Sequence, residues 1–385
     1  MKKHYSKTVI AGLALFSMFF GGGNVIFPVL LGEFAGSRLT SATLGFLLAS
    51  CILPLIGLFA IILYRCDTKA FFSRIGRGPG VVVYGLLVLL LGPLGATPRL
   101  LIVSYATLKP YLFDLSFPLF AAACCLIIAL FVLKKNKVLN ILGAVLTPLL
   151  LLSLGIIIAL GVTAPHGILT TSHSSREVFF EGLDLGYALL DLFAGLLYGS
   201  LVLNYLEDKK KGGEGGDRVL IRNTLRASLL AMVLLSVVYI GLILVGAFHA
   251  DALGGEVPRE EAIRAVSLKL LGPAGGVIAC FAVALACLTT VISQVIVCTT
   301  FVRENLFKER GGELAALGAT LACALCISCL GFTGIAKILE PLLRISYPAI
   351  IVLCVANISY KLYNLRPIKV PFVATLLVTI LGYSL

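Results

Sequence analysis

Apolar runs recur along the whole chain and fix its class before any motif is considered. They lie at about 8–31, 41–64, 80–106, 117–133, 138–162, 183–203, 227–249, 272–301, 313–331, 338–359 and 370–385. A helix needs about 20 apolar residues to cross a hydrocarbon core, so the pattern predicts about eleven transmembrane helices, the shortest, 370–385, being peripheral. The connectors are too short for a separate soluble domain. The expectation is an all-α polytopic membrane protein with 1–385 as a single membrane domain and the lipid bilayer as its solvent. The first run follows Lys2, Lys3 and Lys7 and precedes Ala35-Gly36-Ser37, as a signal peptide would. It exceeds the 7 to 15 apolar residues of a signal core and is read as a retained first span.

Composition agrees, with 59% hydrophobic and 13% charged residues against roughly a quarter charged in soluble domains. The net charge of +12 is not a nucleic-acid footprint. The N-terminus and every even-numbered connector together hold 22 of the 31 Lys and Arg, the asymmetry that retains loops in the cytoplasm. This places the N-terminus in the cytoplasm and the chain in the plasma (inner) membrane. The Lys209–Lys211 and Gly212–Gly216 stretch reads as a flexible loop. The connector at about 250–271, with Arg259, Glu260, Glu261, Arg264 and Lys269, reads as a solvated connector or a short amphipathic helix.

Eleven cysteines, all but Cys66 inside apolar segments, read as small packing residues. Cys323, Cys326 and Cys329 share one helix face rather than forming a cluster site. His4, His166, His173 and His249 lie at the terminus or at loop edges, and no His-Glu-x-x-His, Gly-x-Ser-x-Gly or nucleotide fingerprint occurs. No enzymatic reading has its parts, no covalent cofactor is called for, and nothing demands an obligatory protein partner.

Several spans break the rules of a plain membrane helix. Span one contains Phe19-Phe20-Gly21-Gly22-Gly23-Asn24 with Pro28 four residues on. Glycine weakens a helix by about 1 kcal/mol, and Pro28 takes away a bond to the Asn24 carbonyl. An unwound binding site and close packing of small residues both suit the glycines; only the first explains Asn24 and Pro28. Span six carries Asp191 in Asp191-Leu192-Phe193-Ala194-Gly195, and a carboxylate there is a functional-site candidate or half of a fixed ion pair, with Arg99 as its partner. Five crossings separate the two spans, so they enter from opposite sides. That relation predicts two inverted five-helix halves, 8–162 and 183–359, around a central site. Span eight offers Ala286-Cys287-Leu288-Thr289-Thr290, whose hydroxyls either ligate a small cation or bond back to their own carbonyls. Gly92 to Arg99 in span three has two prolines that free backbone near Arg99, and Pro98 and Arg99 read as gate or structural residues. Glu340 and Arg344, spaced i, i+4, read as a structural ion pair.

At these motifs the sequence resembles the branched-chain amino acid permeases, bacterial cation symporters. The run Leu13 to Pro28 looks like that family's first-span signature, with Gly22 where an alanine is usual. Gly92 to Arg99, Asp191 to Gly199 and Leu285 to Thr290 look like further ones. Members usually carry a twelfth span that this chain lacks, which leaves the ten-helix core intact. The resemblance implies the leucine-transporter fold, a 5+5 inverted repeat with helices one and six unwound around the substrate. It implies a substrate site of Phe19, Gly21, Gly22, Gly23, Asn24, Asp191, Phe193, Ala194 and Gly195. In it the Gly22 and Gly23 amides take the carboxylate, and the Phe19 and Phe193 carbonyls accept from the ammonium. It also implies a sodium site of the Phe20 and Ala286 carbonyls with the Thr289 and Thr290 hydroxyls. The function expected is sodium-coupled symport of leucine, isoleucine and valine into the cell by alternating access. Proton coupling through Asp191 and a non-transporting membrane sensor of the same fold stand as alternatives.

Overall fold

The computed structural model describes the chain apart from residues 1, 113, 134, 164–166, 168–169, 208–213, 253–260, 308–311, 366 and 385. Its described residues form helices and no strand. Span one is α1 (Lys2–Phe19) and α2 (Gly22–Ala35). Span two is α3 (Leu39–Leu47) and α4 (Leu53–Leu63), joined by a π-helical Leu48–Ile52; α5 (Thr68–Phe72) lies in the basic connector after it. Span three is α6 (Arg77–Leu91) and α7 (Ala96–Leu108), span four α8 (Phe117–Leu133), and span five α9 (Lys135–Ile141) and α10 (Thr147–Thr163). Span six is α11 (Ser175–Tyr187) and α12 (Asp191–Leu206), and span seven α13 (Glu214–Phe248). Spans eight, nine and ten are α14 (Ala262–Phe301), α15 (Glu313–Ser328) and α16 (Gly331–Tyr363), and α17 (Lys369–Ser384) packs along α16.

Among the described residues seven helical stretches are long and apolar enough to cross a membrane, and four shorter apolar helices complete the set. Together they match the eleven apolar runs, because span one is split at its break and its second piece runs on into span two. The helices are apolar all round, as membrane helices are. Leu126, Leu130, Leu152 and Val237 are exposed on the outside of the bundle, where acyl chains replace water. Cys326 on α15 and Cys329 just past its end are exposed, and Cys323 is half-buried.

The two broken spans pack in a reciprocal way. Both pieces of span one lie along α13, and both pieces of span six lie along α3 and α4, so each broken span rests on the second span of the other half. Glycines permit the approach. A Cβ on Gly32 would sit 2.0 Å from the Ile243 carbonyl oxygen, and one on Gly246 2.0 Å from that of Val29. In the other contact a Cβ on Gly45 would sit 2.1 Å from the Phe179 carbonyl oxygen, and one on Gly182 2.5 Å from that of Ala42. Backbone meets backbone at these points, which is how membrane helices gain dispersion energy where lipid offers no hydrophobic advantage.

The predicted surface features are partly met. Glu340 and Arg344 pair at 3.1 Å, and Arg344 also reaches Asp184 at 3.6 Å. Of the glycine-rich connector, 208–213 lies outside the described residues, while residues 214–216 already belong to α13. Residues 253–260 of the other connector also lie outside them. From Ala262 it is helical, up to Gly272, whose φ of 61° bends α14. His173 stacks on Phe34, and His166 lies outside the described residues. His249 stands at a loop edge, in the turn directly after α13, and is fully buried there, with its Nε2 2.9 Å from the Gly161 carbonyl oxygen.

Candidate functional site

Both broken spans do interrupt, at mid-length and side by side. In span one α1 ends at Phe19 and α2 starts at Gly22, with Gly21 extended at φ −101°, ψ −171°. In span six the interruption is Ala188 to Leu190, and Leu190 is left-handed at φ 67°, ψ 16°. A leucine there carries about 1–2 kcal/mol of strain; its side chain is wholly buried, which offsets that cost. The break thus lies directly before Asp191. Asp191 becomes the first residue of α12, where the helix dipole favours a carboxylate.

Asn24 ties the two breaks together. Its Oδ1 accepts the Gly21 N–H at 2.9 Å, and its Nδ2 donates to Asp191 Oδ2 at 3.1 Å and to the Tyr239 hydroxyl at 2.5 Å. The Tyr239 hydroxyl in turn donates to Asp191 Oδ2 at 3.4 Å. Tyr239 is held by rings: Phe20 stacks on it at 6.0 Å and Phe46 meets it edge-on at 5.2 Å. Asp191 Oδ1 has no hydrogen-bond partner among the described residues, and Asp191 lines a cavity.

Span three is broken as well. Gly92 to Gly95 form turns, because a Cβ on Gly92 would strike Cys298 Sγ at 2.0 Å and one on Gly95 the Leu90 carbonyl oxygen at 2.1 Å. The helix restarts with Pro98 in its first turn, where a missing N–H costs nothing. Arg99 follows, 8% exposed, donating from NH1 to the Ala188 carbonyl in the span-six break at 3.2 Å. The anticipated Asp191–Arg99 ion pair is not formed: each is held by its own partners.

The central cavity lies between these three breaks. Phe19, Gly21, Gly23, Asn24, Arg99, Asp191, Ala194 and Thr290 line it, with apolar walls from Met18, Leu91, Leu100 and Val103. Its volume is about 30 Å³, room for a water or two and too little for an amino acid until the walls move apart. Gln294 and Tyr198 line it too: Thr97 Oγ1 donates to Gln294 Oε1 at 2.9 Å, and the buried Tyr198 hydroxyl has no partner among the described residues. A recess of about 590 Å³ opens at the basic end of the bundle, lined by Ser200, Asn204, Thr300 and Arg303 among others, and one of about 550 Å³ at the opposite end, lined by Glu33, Phe34, His173 and Glu181.

Beside the break in span one, oxygens converge. Thr289 and Thr290 both donate to the Ser17 carbonyl, at 2.9 and 3.2 Å, and Thr289 also lies 3.0 Å from the Ala286 carbonyl. Two hydroxyls and two carbonyls from two spans make a hard-oxygen set suited to a small cation. The back-bonded and cross-bonded arrangements of Thr289 coexist.

The remaining predicted residues lie outside the cavity wall. A Cβ on Gly22 would meet Cys287 Sγ and Val103 Cγ1 at 2.8 Å, and Gly195 packs on the Pro54 carbonyl. Phe193 is inside α12, where its carbonyl is part of the helix ladder, and its ring packs on Tyr347 at 4.6 Å. Phe20 faces Tyr239, and the carbonyl that the threonines engage is that of Ser17, one turn earlier. Sequence reasoning missed Tyr239, Tyr198, Gln294 and Ser17. A Gln or Tyr inside an apolar span is a signal that was available; a backbone carbonyl leaves none.

The family model for branched-chain amino acid transport proteins matches residues 4–383. The branched-chain amino acid permease BrnQ of Bacillus subtilis is 30% identical over 374 residues, covering 93% of this chain and 82% of that protein. BrnQ of Escherichia coli is 27% identical over 384 residues, covering 98% and 86%. Among solved structures, MhsT in complex with L-phenylalanine superposes with a TM-score of 0.59 at 17% identity, covering 96% of this chain and 98% of that one. The nucleobase-cation-symport transporter Mhp1 gives 0.61 at 14% identity, covering 98% and 92%. These likenesses establish the fold as that of the leucine-transporter class.

Proposed function

The chain belongs to the branched-chain amino acid transport protein family, and on that premise we propose that it carries leucine, isoleucine and valine into the cell together with sodium. The observation that carries the reading is the small cavity where the two broken spans meet, with a carboxylate oxygen and apolar side chains on its walls. The substrate's ammonium is assigned to Asp191 Oδ1 with the Phe19 carbonyl, and its aliphatic side chain to Met18, Leu91, Leu100 and Val103. Of the amides first considered for its carboxylate, Gly23 at the start of α2 remains on the cavity, where the helix dipole favours an anion.

The coupling ion is assigned to the oxygens of Ser17, Ala286, Thr289 and Thr290. On binding, the two hydroxyls turn their lone pairs to the ion and release the Ser17 carbonyl to join them. Because this cluster abuts the break in span one, ion and substrate favour the same arrangement of the broken helices, and their binding free energies are linked. The basic end faces the cytoplasm of the inner membrane, so the recess there is the exit path and the opposite one the entry. Proton coupling is the second reading, favoured by the buried Asp191.

Equilibrium leucine binding to the purified protein tests this. Sodium in place of choline is expected to tighten leucine binding about tenfold or more, and Thr289→Ala to remove the sodium effect while leaving the weaker binding. Binding indifferent to sodium but steeply pH-dependent, with the pH dependence lost in Asp191→Asn, would replace sodium by the proton.

A further inference from the structure

We infer that Arg99 supplies the charge that recognises the substrate's carboxylate, which the Gly23 N–H can share, and so restricts transport to molecules carrying a free carboxylate beside their amine. The inference rests on the substrate reading given above and extends it to a residue first taken as gate or scaffold. Arg99 is 8% exposed and lines the central cavity. Its guanidinium has five N–H donors, and the one hydrogen bond formed with the described residues goes to the Ala188 carbonyl. The rings of Phe27 and Phe332 flank it, 5.7 and 5.3 Å from its centre. Such faces hold a cation without hydrogen-bonding it, and no acidic side chain pairs with it among the described residues.

The other N–H groups of Arg99 are not among the buried polar atoms that lack a partner, and the residue lines the cavity, so donors remain for an anion held there. The acid of the same cavity, Asp191, is engaged elsewhere by Asn24 and Tyr239. The wall therefore presents one fixed positive and one fixed negative group from different spans, between apolar surfaces. That is the complement of a small zwitterion with an aliphatic side chain. A carboxylate suits the fork of a guanidinium, which can engage both oxygens at once.

Position adds a consequence. Arg99 stands in the first turn after the span-three break, and its one protein acceptor is a carbonyl freed by the span-six break. A carboxylate drawn to Arg99 is thereby bound against both discontinuities.

The test compares leucine with isopentylamine, which keeps the amine and the branched chain and lacks the carboxylate. Binding of each is measured by competition with radiolabelled leucine and by thermal shift, using wild type, Arg99→Gln and Arg99→Lys. Wild type is expected to prefer leucine by about a hundredfold or more, the cost of stranding one partner of a buried charge pair. Arg99→Gln should bring the two ligands to near parity, and Arg99→Lys, which keeps the charge but not the fork, should fall between. A hundredfold preference retained in either variant overturns the assignment and leaves the substrate reading standing. Wild type that binds no leucine overturns the substrate reading itself. Should Arg99→Gln fail to fold, Arg99→Lys decides alone: preference undiminished overturns the inference, preference reduced tenfold or more supports it.

Discussion

Asn24 has a side-chain amide whose oxygen and nitrogen are both engaged, by a backbone N–H in one break, a carboxylate at the other and a tyrosine of a third span. Removing it leaves Asp191 buried with a single partner, and hydrogen bonds to charged groups are worth about 1.5–3 kcal/mol each. Asn24→Ala is expected to cost about 3 kcal/mol in stability, read as a lowered midpoint of thermal unfolding in detergent, and to abolish leucine binding; unchanged binding would remove Asn24 from the site. Gly22 makes a second case. Here a Cβ would meet Cys287 Sγ and Val103 Cγ1 at 2.8 Å. Gly22→Ala should therefore destabilise by about 1–3 kcal/mol through overpacking, and Cys287→Ala in the same chain should restore most of that. Equal melting of the single and double variants would show that the neighbouring side chains absorb the methyl group freely.

Helices in this molecule are placed by glycines as much as by apolar faces. The Gly32–Gly246 and Gly45–Gly182 contacts bring backbones together where no side chain can step aside. Gly32→Val and Gly182→Val are each expected to cost 3 kcal/mol or more and to spoil monodispersity on size exclusion, whereas valine at Gly155, where nothing lies within 4 Å, should be tolerated. Similar losses at all three positions would mean that glycine matters only through helix propensity. The same elements show what a sequence can reveal. Apolar runs delimit the spans because lipid demands them, and Gly21–Gly23 with Asn24 mark the first break because glycine and a lone amide are out of place in a spanning helix. The sixth-span motif that the sequence displays, Asp191 to Gly195, is helical, and the break lies just before it, at Ala188 to Leu190. Nothing in three aliphatic residues announces a left-handed leucine; tertiary packing around its buried side chain imposes it. Ser17 is illegible for a related reason, since it contributes a carbonyl that every residue type has.

On the scale of the whole molecule, a cavity of about 30 Å³ separates recesses of about 590 and 550 Å³ at the two ends. Such a form admits substrate only after one wall withdraws, and alternating access requires that the two ends take turns. If ion and substrate both stabilise the same closed arrangement, linkage is reciprocal: saturating leucine should raise sodium affinity by the factor by which saturating sodium raises leucine affinity. Unequal factors in equilibrium binding would show that a further ligand, such as a proton, shares the site. The central claim is that this coupling does work. The direct measurement is radiolabelled leucine uptake into proteoliposomes holding the purified protein, with and without an inward sodium gradient. Accumulation above the external concentration is predicted while the gradient lasts, suppressed by isoleucine and valine, untouched by lysine, and absent when the gradient is dissipated. Leucine that binds without accumulating, or that only equilibrates whatever the gradient, would contradict it.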